Sequence, residues 1–521
     1  MSLGAALFER HLCAPRMEGQ LVLTDLTNEY GQCLAAATLE LGSMRVVQAS
    51  LGSKNTLVLD KEGEVWSAGS NECGQLGRDC DEDEEDFSCI LRRVAGLGSE
   101  PVAFIASGGG HSAALTESRQ LFLWGLNHRG QRGTGVNTRV AVRCPLGALL
   151  DAAESVVAVA CGGSHTVAVT TAGRVIAFGG NIHGELGMPG CGSTTTMDPT
   201  PVLLACVALD GVRVVGCAAG GNHTCLVSDD GRVFAMGRNG SGQLGLGHTT
   251  DTHTPTEIDA AHFGGAPIAA VACGGFHTMA ITRDEGKLYG WGDGPIDGEN
   301  GAYAPAGERW GATGLGHTHG ATTPQPVVGA LADARVVRIT AGSTHSCALV
   351  EDGRVFAFGR DDDENGTPQG ALPAAGADGT PQLLQGALAG VPSVCALGVG
   401  CQASHLAFLV GVPPAQPGFD APVSFRWSRR RALLMCLLAT QPCAGDGDLV
   451  RMLALPESLQ VRVFAYYKPC LWSRRRPLVA AGAPSDLDTI APAGAAETDV
   501  LLRVAALPEV LWRGPRIFQY L

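Results

Sequence analysis

The chain repeats itself, and that constrains its fold more than any other property. One half-motif reads small-Gly-Gly-x-His-Thr followed by a short apolar run. It stands as GGGHSAAL at Gly108–Leu115, GGSHTVAV at Gly162–Val169 and GGNHTCLV at Gly220–Val227. It returns as GGFHTMAI at Gly274–Ile281 and GSTHSCAL at Gly342–Leu349. Worn copies bracket these, GSKNTLVL at Gly52–Leu59 and QASHLAFL at Gln402–Leu409, making seven. Their histidines are His111, His165, His223, His277, His345 and His405, with Asn55 in the first copy. The steps between them run from 54 residues (His111 to His165) to 68 (His277 to His345). A period of this size means stacked supersecondary units that cannot bury their faces alone.

A second half-motif follows each of the first six copies. It is GEVWSAGSNECGQLG at Gly63–Gly77, RQLFLWGLNHRGQRG at Arg119–Gly133 and GRVIAFGGNIHGELG at Gly173–Gly187. The cleanest is GRVFAMGRNGSGQLG at Gly231–Gly245. The fifth, from Gly286, and the sixth, from Gly353, begin well and then diverge. The seventh has no second half. The missing piece stands at the other end of the chain, GQLVLTDLTNEYGQC at Gly19–Cys33. A ring closed by its own N-terminal strands explains both anomalies, and a closed ring leaves no sheet edge to template aggregation.

The segments between glycines, such as Thr166–Thr170 and Val175–Phe178, are short and rich in β-branched and aromatic residues. They are apolar on both faces, as strands covered on both sides must be. Glycine numbers 72 of 521 residues with no period of three, so the excess serves turns. The expected fold is all-β: a seven-bladed propeller of four-stranded blades closed by N-terminal strands, with a small, mainly helical C-terminal extension. The expected boundaries are an arm over 1–18, the propeller over 19–411, a Pro-rich linker over 412–424 and the extension over 425–521.

The repeats resemble the regulator of chromosome condensation repeat family, through the tandem Gly-Gly-x-His-Thr and Gly-x-Asn-x-x-Gly-Gln-Leu-Gly motifs of residues 19–411. The resemblance implies a seven-bladed propeller. It also implies a choice of roles, since family members serve as a guanine-nucleotide exchange factor for a small GTPase on chromatin or as interaction modules in ubiquitin ligases, photoreceptors and cytoskeletal regulators. The photoreceptor motif Gly-Trp-Arg-His-Thr is absent from this sequence. The inserted wedge that exchange activity implies has no match in the compact third copy, Val157–Gly187. Shape is therefore fixed more firmly than role.

Charge narrows the partners. The net charge is −14; of the 37 Lys and Arg and 51 Asp and Glu, 13 and 9 lie in residues 412–521, which leaves the repeat body near −18. Such a body repels a phosphate backbone, so nucleic acid is not expected as a partner. The 18 cysteines contain no CxxC, and several occupy repeat positions, among them Cys161, Cys225, Cys273 and Cys347. They read as small apolar core residues kept reduced. With neither a signal-peptide pattern nor an apolar run of membrane length, the expectation is an intracellular protein, cytoplasmic or nuclear, with no membrane association.

No catalytic constellation, metal set or cofactor cradle stands out, so no enzyme activity and no cofactor are expected. One histidine per repeat gives imidazoles separated by the blade spacing, and Asn55 at the same position shows that a hydrogen bond suffices there. His111, His165, His223, His277, His345 and His405 are therefore read as structural. The acidic run Asp79–Asp86 reads as a solvated loop. Asp361, Asp363, Asn365 and Gly366 half-match a calcium loop, but Leu372 stands where its twelfth-position Glu belongs.

The expected recognition sector is formed by the fifth and sixth copies, where the motif frays. The candidates there are Asp293, with Tyr303 and Trp310 as aromatic anchors in the insert Asp293–Trp310, and Asp361, Asp362 and Asp363 in the sixth copy. In the extension, Leu455, Pro456, Leu459, Val463 and Phe464 resemble the opening of an F-box, implying a ubiquitin-ligase subunit as partner. Three functions follow: a non-enzymatic interaction scaffold, an exchange factor for a small GTPase, and a ubiquitin-ligase adaptor.

Overall fold

The computed structural model describes residues 19–24, 46–78, 87–134, 138–147, 149–188, 197–293, 311–317, 319–359, 379–384, 394–397 and 406–411. All belong to the first of two compact units, Met1–Ala415, the second being Gln416–Leu521. They form 27 strands, β1 (Gly19–Thr24) to β27 (Leu406–Gly411), with three short 3-10 turns and no α-helix among the described residues. The helical extension expected over 425–521 lies outside them. No described helix is long and apolar enough to cross a membrane.

The architecture is an all-β propeller, but the expected seven separate blades are corrected to six. Five sheets have four antiparallel strands: β6–β9, β10–β13, β14–β17, β18–β21 and β22–β25. The sixth has seven strands in the order β26-β27-β1-β2-β3-β4-β5. The first and seventh repeats share it because β1 is paired on both sides. It runs antiparallel to β27 from Gly19↔Gly411 to Thr24↔Leu406, and its Gly19 also pairs with Val46 of β2 (Val46–Leu51). The N-terminal strand thus joins the two ends of the array into one sheet. The four-stranded blades are called two to six here, matching their repeats.

Blade three shows the pattern. Strand β10 (Val156–Cys161) leads through Gly162–Ser164 into β11 (His165–Thr170). The turn Thr171–Arg174 then gives β12 (Val175–Gly180), and a longer loop leads to β13 (Met197–Leu203). All six residues of β11 and of β12 are buried, which is why these stretches lack polar alternation. Fourth strands face solvent more: β17 (Thr252–Glu257) buries only Pro255.

The core lies between blades. Val159, Cys161, Ile176 and Phe178 of blade three pack with Leu121 and Leu123 of blade two, and blades three and four share a similar cluster. A large side chain near the end of each third strand rests on the last glycine of the preceding blade's loop motif. Trp291 lies against Gly245: a Cβ there would sit 2.8 Å from the indole Nε1, and φ is +72°. Trp124 on Gly77, Phe178 on Gly133, Met236 on Gly187 and Phe358 on Gly314 repeat the contact. The final glycine of Gly-Gln-Leu-Gly is therefore required twice, for its backbone and for its neighbour's side chain.

Candidate functional site

The repeated histidines join the blades. Thr166 Oγ1 donates to the Gln131 carbonyl of blade two (2.7 Å) and stands 2.9 Å from His111 Nε2 of the same blade. The hydroxyl proton is committed to the carbonyl, so the imidazole is the donor and carries its proton on Nε2. His165 meets Thr224 at 3.0 Å, His223 meets Thr278 at 2.9 Å, and His277 meets Ser346 at 2.7 Å. Each of those hydroxyls likewise donates to the preceding blade, at Glu185, Gln243 or Ala312. Asn55 Nδ2 reaches Ser112 Oγ at 3.5 Å, a weaker version. The first glycine of the motif makes room for the ring: a Cβ on Gly162 would lie 2.3 Å from His165 Cε1.

Burial pushes these imidazoles far below the usual value, to about 3 for His111, His223 and His277 and to about 4 for His165 and His345. They are neutral at physiological pH and closed off from solvent, so they carry no acid–base chemistry there. Among the described residues no group of three or more His, Cys, Asp or Glu is placed to hold a metal ion. The described cysteines are free thiols, and burial pushes those of Cys144 and Cys217 up to about 12.

The loop joining third to fourth strands is built as tightly. Asn239 Oδ1 accepts from the Leu244 amide (3.0 Å) and Gln243 Oε1 from the Ser241 amide (2.9 Å). Asn71, Asn127 and Asn181 cap their loops in the same way, onto Leu76, Arg132 and Leu186. Two blades depart in ways the sequence reading did not single out. Glu185 replaces the glutamine and is buried, its carboxyl held above the usual range first by desolvation. Arg132 replaces the leucine and is fully buried, with Thr138 receiving its guanidinium. Both were legible as departures from Gly-Gln-Leu-Gly.

These loops share one end of the ring with the Gly-Gly-x-His turns, and their lengths single out two blades. In blades two, three and four, 16, 16 and 14 residues separate the third strand from the fourth. Blade five has 28, between β20 (Leu288–Gly292) and β21 (Ala321–Pro326). Blade six has 22, between β24 (Val355–Gly359) and β25 (Gln382–Leu383).

Asp293 lies at the root of the blade-five insert and is buried at 5% exposure, so it anchors the loop and offers no exposed carboxylate. Its backbone sits at φ +58°, its amide donates to the Phe276 carbonyl (2.9 Å), and its Oδ2 accepts from the Ala312 amide (3.0 Å). The blade-five motif in fact resumes at Gly311-Ala312-Thr313-Gly314, with Ala312 in the glutamine position offering its carbonyl to Ser346. Tyr303, Trp310, Asp361, Asp362, Asp363, His405 and the F-box-like Leu455, Pro456, Leu459, Val463 and Phe464 lie outside the described residues.

Tandem β-blades locked by His–hydroxyl junctions, with a rigid loop-bearing end and no reactive constellation in view, define a propeller of the interaction-module class. The model of the RCC1-like domain matches residues 16–408, and the chain belongs to that family. It is 29% identical over 329 residues to the Ultraviolet-B receptor UVR8 of Arabidopsis thaliana, covering 63% of this chain and 68% of the receptor. It is 32% identical over 272 residues to the human probable E3 ubiquitin-protein ligase HERC6, covering 51% of this chain but only 24% of the ligase. Among solved structures, Saccharomyces cerevisiae Prp20p, described together with its binding to Gsp1p and histones, superposes with a TM-score of 0.60 at 19% identity, over 80% of this chain and 96% of its own. Human WBSCR16 gives 0.55 at 22% identity, over 71% and 87%. At such identities these two likenesses establish the fold alone.

Proposed function

We propose that the chain is a non-enzymatic scaffold that engages a protein partner through the loop-bearing end of blades five and six. The observation that carries this reading is the loop length: 28 and 22 residues there against 14 to 16 in blades two to four. Insertions that gather on one face of a repeat array mark its binding face. The root is stiff, since Asp293 ties the two ends of the insert together. Replacing residues 294–310 by a short Gly-Ser linker should therefore leave the melting temperature nearly unchanged and abolish capture of partners by the full chain. Retained capture would refute the assignment.

A second reading, exchange activity on a small GTPase, is favoured by the likeness to Prp20p. It predicts accelerated nucleotide release from at least one member of a GTPase panel, and no acceleration across the panel removes it. A third, ubiquitin-ligase adaptor, rests on the F-box-like Leu455–Phe464 and predicts binding of the full chain to a ligase linker subunit, lost on Leu459→Asp. Under the scaffold reading the protein works in the cytoplasm or nucleus.

A further inference from the structure

We propose that the loop-bearing end of blades two to four docks an acidic, Asp/Glu-rich segment of a protein partner. The argument starts from how the cations are distributed. Every Lys or Arg with a carboxylate partner among the described residues sits at the opposite end. Lys61 lies against Glu62, Arg93 against Glu64, and Arg174 against Asp151 and Glu154. Arg232 pairs with Asp230 and Glu257, Arg335 with Glu351 and Arg354 with Asp352. That end neutralises itself.

The loop-bearing end does not. Arg129 and Arg139 of blade two and Arg238 of blade four reach solvent there, and none has a carboxylate partner among the described residues. The carboxylates with described side chains at this end of these blades are committed: Glu185 is buried, and Asp251 accepts from the Asn239 amide and pairs with His183 at 2.8 Å. The cations are held in place. Arg129 leans toward blade three, its Cβ 3.7 Å from where a Cβ on Gly180 would stand, and the Arg238 guanidinium lies over the Phe276 ring of blade five at 5.7 Å.

Blade three lies between them and is low. Where blade two has Leu126 and blade four has Arg238, blade three has Gly180, with no side chain. Beside it Ile182 stands 39% exposed, one of few large apolar side chains so placed. Unpaired guanidiniums flanking a low, partly apolar step suit an extended segment of carboxylates punctuated by an apolar residue. The patch runs against a chain of net charge −14, so random composition does not account for it. A guanidinium presents donors to two carboxylate oxygens at once, which favours Asp and Glu as the recognised groups.

The proposal shares with the scaffold reading only the assumption of a protein partner, and its test separates the two. A fluorescein-labelled Asp-Glu peptide is titrated into the full chain at low salt with polarisation as readout. Expected is saturable binding that weakens as salt rises and weakens by about tenfold or more in R129E/R139E/R238E. The charge-matched reversal at the opposite end, K61E/R119E/R354E, and the 294–310 replacement should bind like the parent. The neutral triple R129Q/R139Q/R238Q, checked by thermal melting, covers the case in which charge reversal disturbs folding, and it should also lose affinity. No binding by the parent, equal loss in both triple reversals, or tighter binding of a single-stranded oligonucleotide than of the peptide at this end each overturns the proposal.

Discussion

Acid should unfold this propeller through its histidines, well before its carboxylates titrate. The five described histidines of the ring are held near 3 to 4 in the folded chain, against about 6.5 in an unfolded one. Protons therefore bind preferentially to the unfolded chain below that value. Stability is full above pH ~6.5 and is lost as the pH falls toward the folded-state values. Each group contributes about 1.4 kcal/mol per pH unit in that window, so five give a slope of about 7 kcal/mol per unit. At pH ~5 the summed loss is about 10 kcal/mol, as large as the whole stability of an ordinary domain. Urea unfolding followed by near-UV circular dichroism at steps from pH 7.5 to 5 should show the midpoint collapsing over this range. His223→Asn, which copies the natural Asn55, should lower the slope by about one proton's worth, ~1.4 kcal/mol per unit. A slope corresponding to fewer than two protons would refute the claim that these imidazoles are buried and neutral.

Thr224→Val removes the hydroxyl between His165 and the Glu185 carbonyl while keeping the shape, and should cost about 1–3 kcal/mol in chemical denaturation. Thr224→Ser should be nearly silent, because Ser346 makes the same junction in blade six. Gly245→Ala puts a methyl at φ +72° against Trp291 and Pro324 and should destabilise by about 2 kcal/mol or more in thermal melts; an unchanged melt contradicts the packing described. Glu185→Gln restores the motif residue and should stabilise at pH 7. The glutamate carboxyl is raised in the fold, so its cost is present when the unfolded chain is ionised and vanishes below the usual carboxylate range. The gain in midpoint should fade as the pH drops, and a gain that grows with acidity would be the wrong sign.

Much of this was legible because the repeat writes its junctions in pairs. Gly162, His165 and Thr166 are separate letters of one joint, and their spacing recurs from blade to blade. Closure was legible too, since Gly19–Cys33 supplies the half that the seventh copy lacks, and β1 does lie along β27. The number of sheets was not. Whether neighbouring repeats remain separate depends on pairs such as Gly19↔Val46, and a glycine beside a valine carries no sign of such a pair in sequence. The end of the fifth copy was hidden for a different reason. Its insert separates Gly292 from Gly311, and Ala312 can stand for glutamine because the backbone carbonyl, not the side chain, receives the next blade's hydroxyl. Asp293 was singled out as an exposed recognition residue because acidic residues in long loops are usually solvated. Its burial comes from the Phe276 carbonyl and Ala312 amide, which no local pattern announces.

The most direct test of the closed ring is a cross-link between its two ends. Val22 stands opposite Phe408 in the β1–β27 register, so the double variant V22C/F408C should yield, under mild oxidation of the native chain, a peptide pair joined by the two introduced thiols and identified by mass spectrometry. The linked protein should melt higher than its reduced form. A folded chain in which the thiol introduced into β1 stays free, or is joined to a strand other than β27, would contradict the closure on which the architecture rests.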